Sequence, residues 1–239
     1  MTQKSPHPWE NFARQDAAFF IRTENADQSE DGSFAQSGCH DADLLYLHAS
    51  PYITKLGSAL EIGAGIGRIV LPQAARFAHV TATDISPTML AKLRQRAVQA
   101  DLKNITTMQA NAAWDAVEAK GFPYDYIYTY ACFQHIEDAK IIEAYLQRVA
   151  RALSVGGVFQ AHLDTRPQPI SYRLRNNLPD WLLTQTHRKN IRRVRRSADW
   201  FRTTASRHGL ELVHQYLENT ADHIFIFRWR VPFAPSKIG

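Results

Sequence analysis

From residue 58 onward, short apolar runs rich in β-branched and aromatic residues alternate with stretches whose apolar positions recur at helical spacing. That is the pattern of a parallel sheet covered by helices. It predicts strands at 58–63 (SALEIG), 79–84 (HVTATD), 104–110 (NITTMQA), 124–131 (YDYIYTYA) and 157–163 (GVFQAHL), with helices near 67–77, 87–100, 112–119 and 138–152. Two later runs, LELVHQYLEN and DHIFIFRWRV, joined by a turn at Thr220–Ala221, read as an antiparallel hairpin at the sheet edge. The predicted fold is α/β: a Rossmann-like, doubly wound, mostly parallel seven-stranded sheet with an antiparallel edge hairpin.

Local signals sharpen some boundaries. Ser86 caps the 87–100 helix and Pro87 takes its first position, where a missing N–H costs nothing. Gly156 and Gly157 are expected to end the 138–152 helix, and Ser197 to start a helix that stops at Gly209. Residues 164–196, with Pro167, Pro169, Pro179 and many arginines, find no place in the sheet and read as a substrate-side insertion after the fifth strand. Residues 1–40 read as an N-terminal arm or lid over the ligand edge, aromatic at Trp9, Phe12, Phe19 and Phe20 and loop-like through QSEDGSFAQSG; residues 41–239 form the main domain.

Length and composition fit one domain with a real core: 239 residues, 45% hydrophobic and 21% charged. The net charge of +5 is unevenly placed. Residues 188–207 carry Arg188, Lys189, Arg192, Arg193, Arg195, Arg196, Arg202 and Arg207 against Asp199 alone. This segment is either a solvated face or a patch for anionic ligands, nucleic acid or headgroups. Two cysteines, Cys39 and Cys132, build no disulfide framework, and no apolar leader or run of ~20 apolar residues stands out, so a cytoplasmic location is expected.

The candidate chemistry centres on ALEIGAGIGRI, residues 59–69. Ligands of open α/β sheets sit at the carboxyl ends of the strands, and this turn follows the first one. A triphosphate loop needs Lys and Ser/Thr after its glycines, and here Arg68 and Ile69 follow. A dinucleotide loop needs G-x-G-x-x-G, and Arg68 stands where its third glycine belongs. The loop E-I-G-A-G-I-G-R, followed by TATDISPTML, resembles the class I S-adenosylmethionine-dependent methyltransferases, of the small-molecule type.

That resemblance implies S-adenosyl-L-methionine as cofactor. The loop behind Glu61, with Gly63, Ala64, Gly65 and Gly67, is implied to pack on the methionyl part, and Asp84 to bind both ribose hydroxyls. Ile85 and Met89 are expected to wall the adenine. Asn111 stands where the family has an acid, so Asn111 with the Ala112 amide is expected at the adenine amino group, and Tyr130 is counted among the cofactor-binding residues. A plainer reading of Asp84 is an acid favoured by a helix N-terminus.

In YDYIYTYACFQHIED the family places a histidine near the reactive methyl. His135 is therefore the candidate general base, suited by an ordinary pKa near 6.5. Asp164 and His162, at the end of the fifth strand, are candidates to orient it or bind the acceptor, although His162 also reads as core. No metal site is expected, because Cys132-x-x-His135 lacks a second pair other than Cys39–His40. The N/D-P-P-Y motif of DNA amino-methylating relatives is absent near YACF. The expected acceptor is a small or medium organic molecule, anionic if the arginines meet it. The rivals are RNA methylation through the 188–207 patch and a non-catalytic or dinucleotide-binding module. Oligomeric state is left open.

Overall fold

The computed structural model describes residues 7–21, 32–110, 123–184, 187–188 and 191–230. Its elements run α1 (Pro8–Ile21), α2 (Gly32–Ala49), β1 (Ser58–Ile62), α3 (Val70–Gln73), β2 (His79–Asp84), α4 (Pro87–Gln99), β3 (Ile105–Gln109) and β4 (Tyr124–Thr129). They continue with α5 (Ala139–Ala152), β5 (Leu153–Leu163), α6 (Ile170–Asn176), α7 (Ala198–Arg207), β6 (Leu210–Tyr216) and β7 (His223–Trp229). The sheet has seven strands in the order β3-β2-β1-β4-β5-β7-β6. The first five are parallel, and β7 and β6 add an antiparallel hairpin, so β6 is an edge as predicted.

Strand residues alternate between two buried faces, which is why the strands read as nearly unbroken apolar runs. Leu60, Ile62, Ile127, Phe159, Phe225 and Phe227 pack with Ile142, Leu146 and Val149 of α5 and with Phe201 and Ala205 of α7. Ala59, Val80, Ala82, Tyr126 and Val158 pack with Ala42 and Leu45 of α2, Val70 of α3 and Leu93 of α4 on the other face. Three helices start as the sequence dictates. Ser86 accepts the Met89 N–H at 3.1 Å, Asp138 the Lys140 N–H at 2.9 Å, and Ser197 the Trp200 N–H at 3.3 Å.

Four expectations are corrected. The 67–77 helix shrinks to Val70–Gln73, because Gly67 sits at φ 91°, outside the right-handed helical region. β4 stops at Thr129 rather than 131, two residues before Ala131 turns to φ 52°. Gly156 and Gly157 do not end α5. That helix closes at Ala152, β5 begins at Leu153, and Gly156 (φ 75°) marks the irregularity where the β4–β5 register shifts between Tyr124 and Tyr126.

The stretch read as loop-like at 28–38 is helical from Gly32, because burying Phe34 against Ile66 and Met89 outweighs the poor propensity of its glycines and serines. Gly38 in that helix is required, since a Cβ there would sit 2.3 Å from the Arg68 carbonyl oxygen. The 164–196 insertion stays out of the sheet, as expected, and contains α6 and a 3-10 turn at Asp180–Leu182. The expected 112–119 helix lies outside the described residues.

Candidate active site

The carboxyl ends of β1, β2 and β4 converge on a cavity of about 540 Å³. Its floor is the glycine turn. Gly63 and Ala64 donate their N–H groups to the Thr83 carbonyl (2.8 and 2.9 Å), and Thr83 Oγ1 returns a bond to the Glu61 carbonyl at 2.9 Å. These ties lash the end of β1 to the end of β2. Gly63 is at φ 77°, and a Cβ on it would lie 2.4 Å from Cys132 Sγ, so only glycine lets the loop close against β4 here.

Asp84 is the keystone of the turn. Its Oδ2 accepts the Gly65 N–H at 2.9 Å and its Oδ1 the Ser86 N–H at 2.8 Å. Burial pushes its carboxyl above the ordinary value, against those amides, which favour the charged form. A carboxylate oxygen has room for more than one donor. Asp84 therefore shapes the loop and still faces the cavity that it lines.

Glu61 lies deeper, 2% exposed, with the Tyr128 hydroxyl donating to Oε2 at 3.1 Å. Burial lifts its pKa to about 8, opposed by that hydrogen bond and by Arg68. Arg68, absent from the sequence-predicted site, also lines the cavity. Its guanidinium is held by Asp41 at 2.6 Å and sits 5.5 Å over the Tyr130 ring, a cation aimed by α2 and by the end of β4. The sequence carried Arg68 in the motif, but only as the residue that displaced a glycine; nothing in the string marks Asp41 as its partner.

Of the expected cofactor residues, Glu61, Gly63, Ala64, Gly65, Asp84, Ile85, Met89 and Tyr130 all line this cavity. Gly67 does not. A Cβ there would press on Leu93 Cγ at 3.0 Å and Leu71 Cγ at 3.2 Å, so the third glycine serves helix packing. Asn111 and Ala112 lie outside the described residues.

His135 closes a 3-10 turn, Phe133–His135, and lines the cavity. Burial, aided by Arg193, lowers its pKa to about 4, so the ring is neutral at physiological pH. The Gln134 amide nitrogen is 3.2 Å from its Nε2, and the Trp9 ring stands edge-on at 5.4 Å. Cys132 beside it is pushed up to about 12 by burial and the Asp84 charge, leaving an unreactive thiol.

His162 and Asp164 are not on the cavity wall. His162 accepts the Ala131 N–H on Nδ1 (3.0 Å), reaches the Ala221 carbonyl through Nε2 (2.9 Å) and stacks on Tyr130 at 4.9 Å. It thereby supports Ala131, the non-glycine residue at φ 52° that turns the chain out of β4. Asp164 is fully buried and clamped by Arg166, whose Nε is 3.0 Å from Oδ1 and Nη2 2.6 Å from Oδ2.

The arm reaches the site. Trp9 and His7 line the cavity. Glu10, 5% exposed, accepts from the Ser86 hydroxyl (2.6 Å), the Thr88 hydroxyl (2.6 Å), the Thr88 N–H (3.2 Å) and Arg14 Nε (3.0 Å). Burial alone would raise its carboxyl, but those four donors outweigh it and hold it at about 2. Phe12 packs edge-on against Trp9 at 5.6 Å, while the Phe19 and Phe20 side chains lie outside what the structure describes. The insertion backs the cavity without supplying its aromatic wall. Val194 N–H donates to the Gln134 carbonyl at 2.7 Å, and neither Tyr172 nor Trp181 touches the cavity.

Residues 59–157 match the model of the family described as methyltransferase domain. That segment is therefore similar to methyltransferase domains. A malonyl-[acyl-carrier protein] O-methyltransferase from a Paenibacillus strain is 34% identical over 94 residues, which span 38% of this chain and 34% of that relative. The chain thus aligns with about a third of that relative's length. Among solved structures, a magnesium protoporphyrin IX methyltransferase from Synechocystis with bound SAH superposes with a TM-score of 0.63, 15% identity and coverage of 92% of this chain and 98% of that one. An S-adenosylmethionine-dependent methyltransferase from Clostridium acetobutylicum gives 0.64, 14% identity, and 94% and 100% coverage. At such identity the likeness is one of fold. The matched segment contains the glycine turn and Asp84, whereas the arm and insertion lie outside it.

Proposed function

We propose that this protein transfers a methyl group from S-adenosylmethionine to an oxygen or nitrogen of a small or medium organic acceptor. The observation that carries the reading is the meeting of the glycine turn, Asp84 and Arg68 on one cavity at the carboxyl ends of β1, β2 and β4. The residues suit the cofactor. Asp84 offers a carboxylate to a diol, the Gly63 position leaves backbone exposed where a Cβ would be refused, and Arg68 offers a cation to a carboxylate. When bound, the cofactor supplies a methyl group on a sulfonium, an excellent leaving group. The protein's task is then to position the acceptor, exclude water and, where needed, hold a proton.

His135 is the group proposed to take that proton. Its ring is neutral and on the cavity, and its lowered pKa makes it a weak base. The relative named as an O-methyltransferase supports an oxygen acceptor. Three arginines of the insertion, Arg192, Arg195 and Arg196, are spent within the fold rather than on phosphate. Arg192 bonds Glu137 and the Asn176 carbonyl, Arg195 the Pro167 carbonyl, and Arg196 the carbonyls of Ile136 and Glu137.

Calorimetry with S-adenosylhomocysteine and NAD tests the cofactor assignment. Micromolar binding of the first and none of the second is expected; the reverse would overturn it. Asp84→Ala is expected to abolish that binding. His135→Ala should leave it intact and slow transfer by ~10²-fold, the usual worth of a general base. Full activity in the histidine variant would remove His135 from the mechanism and point to an acceptor that arrives already deprotonated, such as a carboxylate.

A further inference from the structure

The insertion presents a surface that the cavity does not use. In α6, Tyr172 is buried, its hydroxyl accepting the Arg195 N–H at 2.9 Å and its ring covered by the Arg195 guanidinium at 4.5 Å. The opposite side of that helix therefore faces water, and it carries Ile170 and Leu174, four positions apart, at 74% and 64% exposed. The chain then turns through Leu178 into the 3-10 segment, where Trp181 is 78% and Leu182 54% exposed. Five of the twelve exposed large apolar side chains among the described residues thus fall within thirteen positions, 170–182. Scattered exposed leucines are ordinary in a soluble protein, but a cluster headed by an indole marks an interaction surface.

Charge narrows the occupant. Residues 164–196 contain eight arginines and one lysine against two carboxylates, Asp164 and Asp180, and Arg166, Arg192, Arg195 and Arg196 are tied within the fold. Arg173 and Arg188 are exposed beside the apolar residues. Protruding aliphatic and indole tips, flanked by Arg173 and Arg188 and set on a short helix and turn, suit a fluid anionic boundary better than a shaped protein groove. Tryptophan is the residue that settles at the water–hydrocarbon boundary. No helix among the described residues is long and apolar enough to cross a membrane, so contact of this kind would be peripheral.

We propose that residues 170–182 dock this protein on the surface of an anionic lipid bilayer, with Ile170, Leu174, Leu178, Trp181 and Leu182 entering the headgroup boundary and Arg173 and Arg188 pairing with lipid phosphates. The face is tied to the active cavity. Arg192 bonds the Asn176 carbonyl at the end of α6 and also Glu137 of the cavity wall, and the Val194 amide bonds Gln134. A docked protein holds that wall near the lipid, where amphiphilic molecules collect. The docking itself does not depend on methyl transfer.

The test is cosedimentation of the full chain with vesicles of phosphatidylcholine alone and with vesicles half phosphatidylglycerol, at low and at raised salt. The expected result is binding to the anionic vesicles only, weakened by salt. Arg173→Gln with Arg188→Gln, and separately Leu174→Ser with Trp181→Ser, should each weaken it roughly 10-fold or more. Both pairs are exposed, so thermal melts should match the wild type. A blue shift of emission on binding, lost in Trp181→Phe, would place the indole in the lipid. Failure to bind anionic vesicles, or binding unchanged in both double variants, overturns the proposal. So does a concentration-dependent dimer abolished by Leu174→Ser with Trp181→Ser, which would make a second copy the occupant, or retention only by an acidic protein.

Discussion

Replacing Glu61 by glutamine is expected to flatten a dependence of stability on pH whose sign is opposite to that of carboxylates held ionised by hydrogen bonds or ion pairs. Glu61 is 2% exposed, and among the described residues its carboxyl accepts a hydrogen bond from Tyr128 alone, so burial carries its pKa from the ordinary 4.5 to about 8. A carboxyl whose folded pKa is raised costs nothing while both states are protonated. As pH climbs past 4.5 the unfolded chain ionises and the folded one does not, so stability falls until pH reaches about 8 and then levels. At 1.36 kcal/mol per unit, the loss accumulated by pH 7 is about 3 kcal/mol.

Glutamine keeps the size and an oxygen for Tyr128 but does not titrate. Wild-type and Glu61→Gln proteins should therefore differ by a constant below pH ~4.5 and diverge above it, the variant gaining about 3 kcal/mol by neutrality. Denaturant unfolding at a series of pH values measures both curves. Parallel curves between pH ~5 and ~8 would refute the reasoning, for they would mean that Glu61 ionises in the folded protein as it does in the unfolded chain.

Glu10 should behave with the ordinary sign. Held at about 2 against an ordinary 4.5, it stabilises the fold fully above pH ~4.5 and loses that contribution as pH falls toward 2, so Glu10→Gln should cost about 3 kcal/mol at neutrality and remove this acid limb. Because Glu10 fastens α1 over the cavity, the same variant should speed hydrogen exchange in α1, and unchanged exchange would mean that α1 is held by other contacts. Gly63→Ala should cost 2 kcal/mol or more and impair cofactor binding, since its Cβ meets Cys132 Sγ at φ 77°. Gly67→Ala, facing Leu93 and Leu71, should lower the melting temperature while leaving the affinity of the folded protein for S-adenosylhomocysteine nearly intact. Equal losses of affinity in the two variants would contradict this division between the glycines.

The sheet was legible because burial on both faces writes itself into sequence as uninterrupted apolar strands, and caps such as Ser86 and Ser197 act over three residues. The glycine turn was legible for the same reason: its chemistry lies within residues 61–67 and one strand end. What failed was whatever depends on distant partners. α2 looked like loop because the gain from seating Phe34 against Ile66 and Met89 is invisible locally. Arg68 became a site residue only through Asp41 and Tyr130. His162 and Asp164 share the end of β5 with the cavity's neighbours, yet one is spent on Ala131 and Ala221 and the other on Arg166. Sequence placed them at the right edge of the sheet, and side-chain pairing turned them away.

Asp84 shows how closely fold and ligand chemistry are joined here. Its two oxygens hold the Gly65 and Ser86 amides, so the ligand loop and the first turn of α4 take their positions from one carboxylate, and Glu10 braces the same turn through Ser86 and Thr88. Removing the side chain in Asp84→Ala deletes the loop anchor along with any contact to a ligand. Asp84→Asn separates the two, because one oxygen survives for one amide while the negative charge is gone. If Asp84 serves only the loop, the asparagine variant should retain most of the affinity for S-adenosylhomocysteine. If its charge accepts hydrogen bonds from the ligand as well, affinity should fall at least ~10-fold, since hydrogen bonds to a charged group contribute about 1.5–3 kcal/mol each. The melting temperature of the unliganded variant reports the loop's share and the calorimetric affinity reports the ligand's. A variant that melts like the wild type and binds like it would remove Asp84 from the binding site.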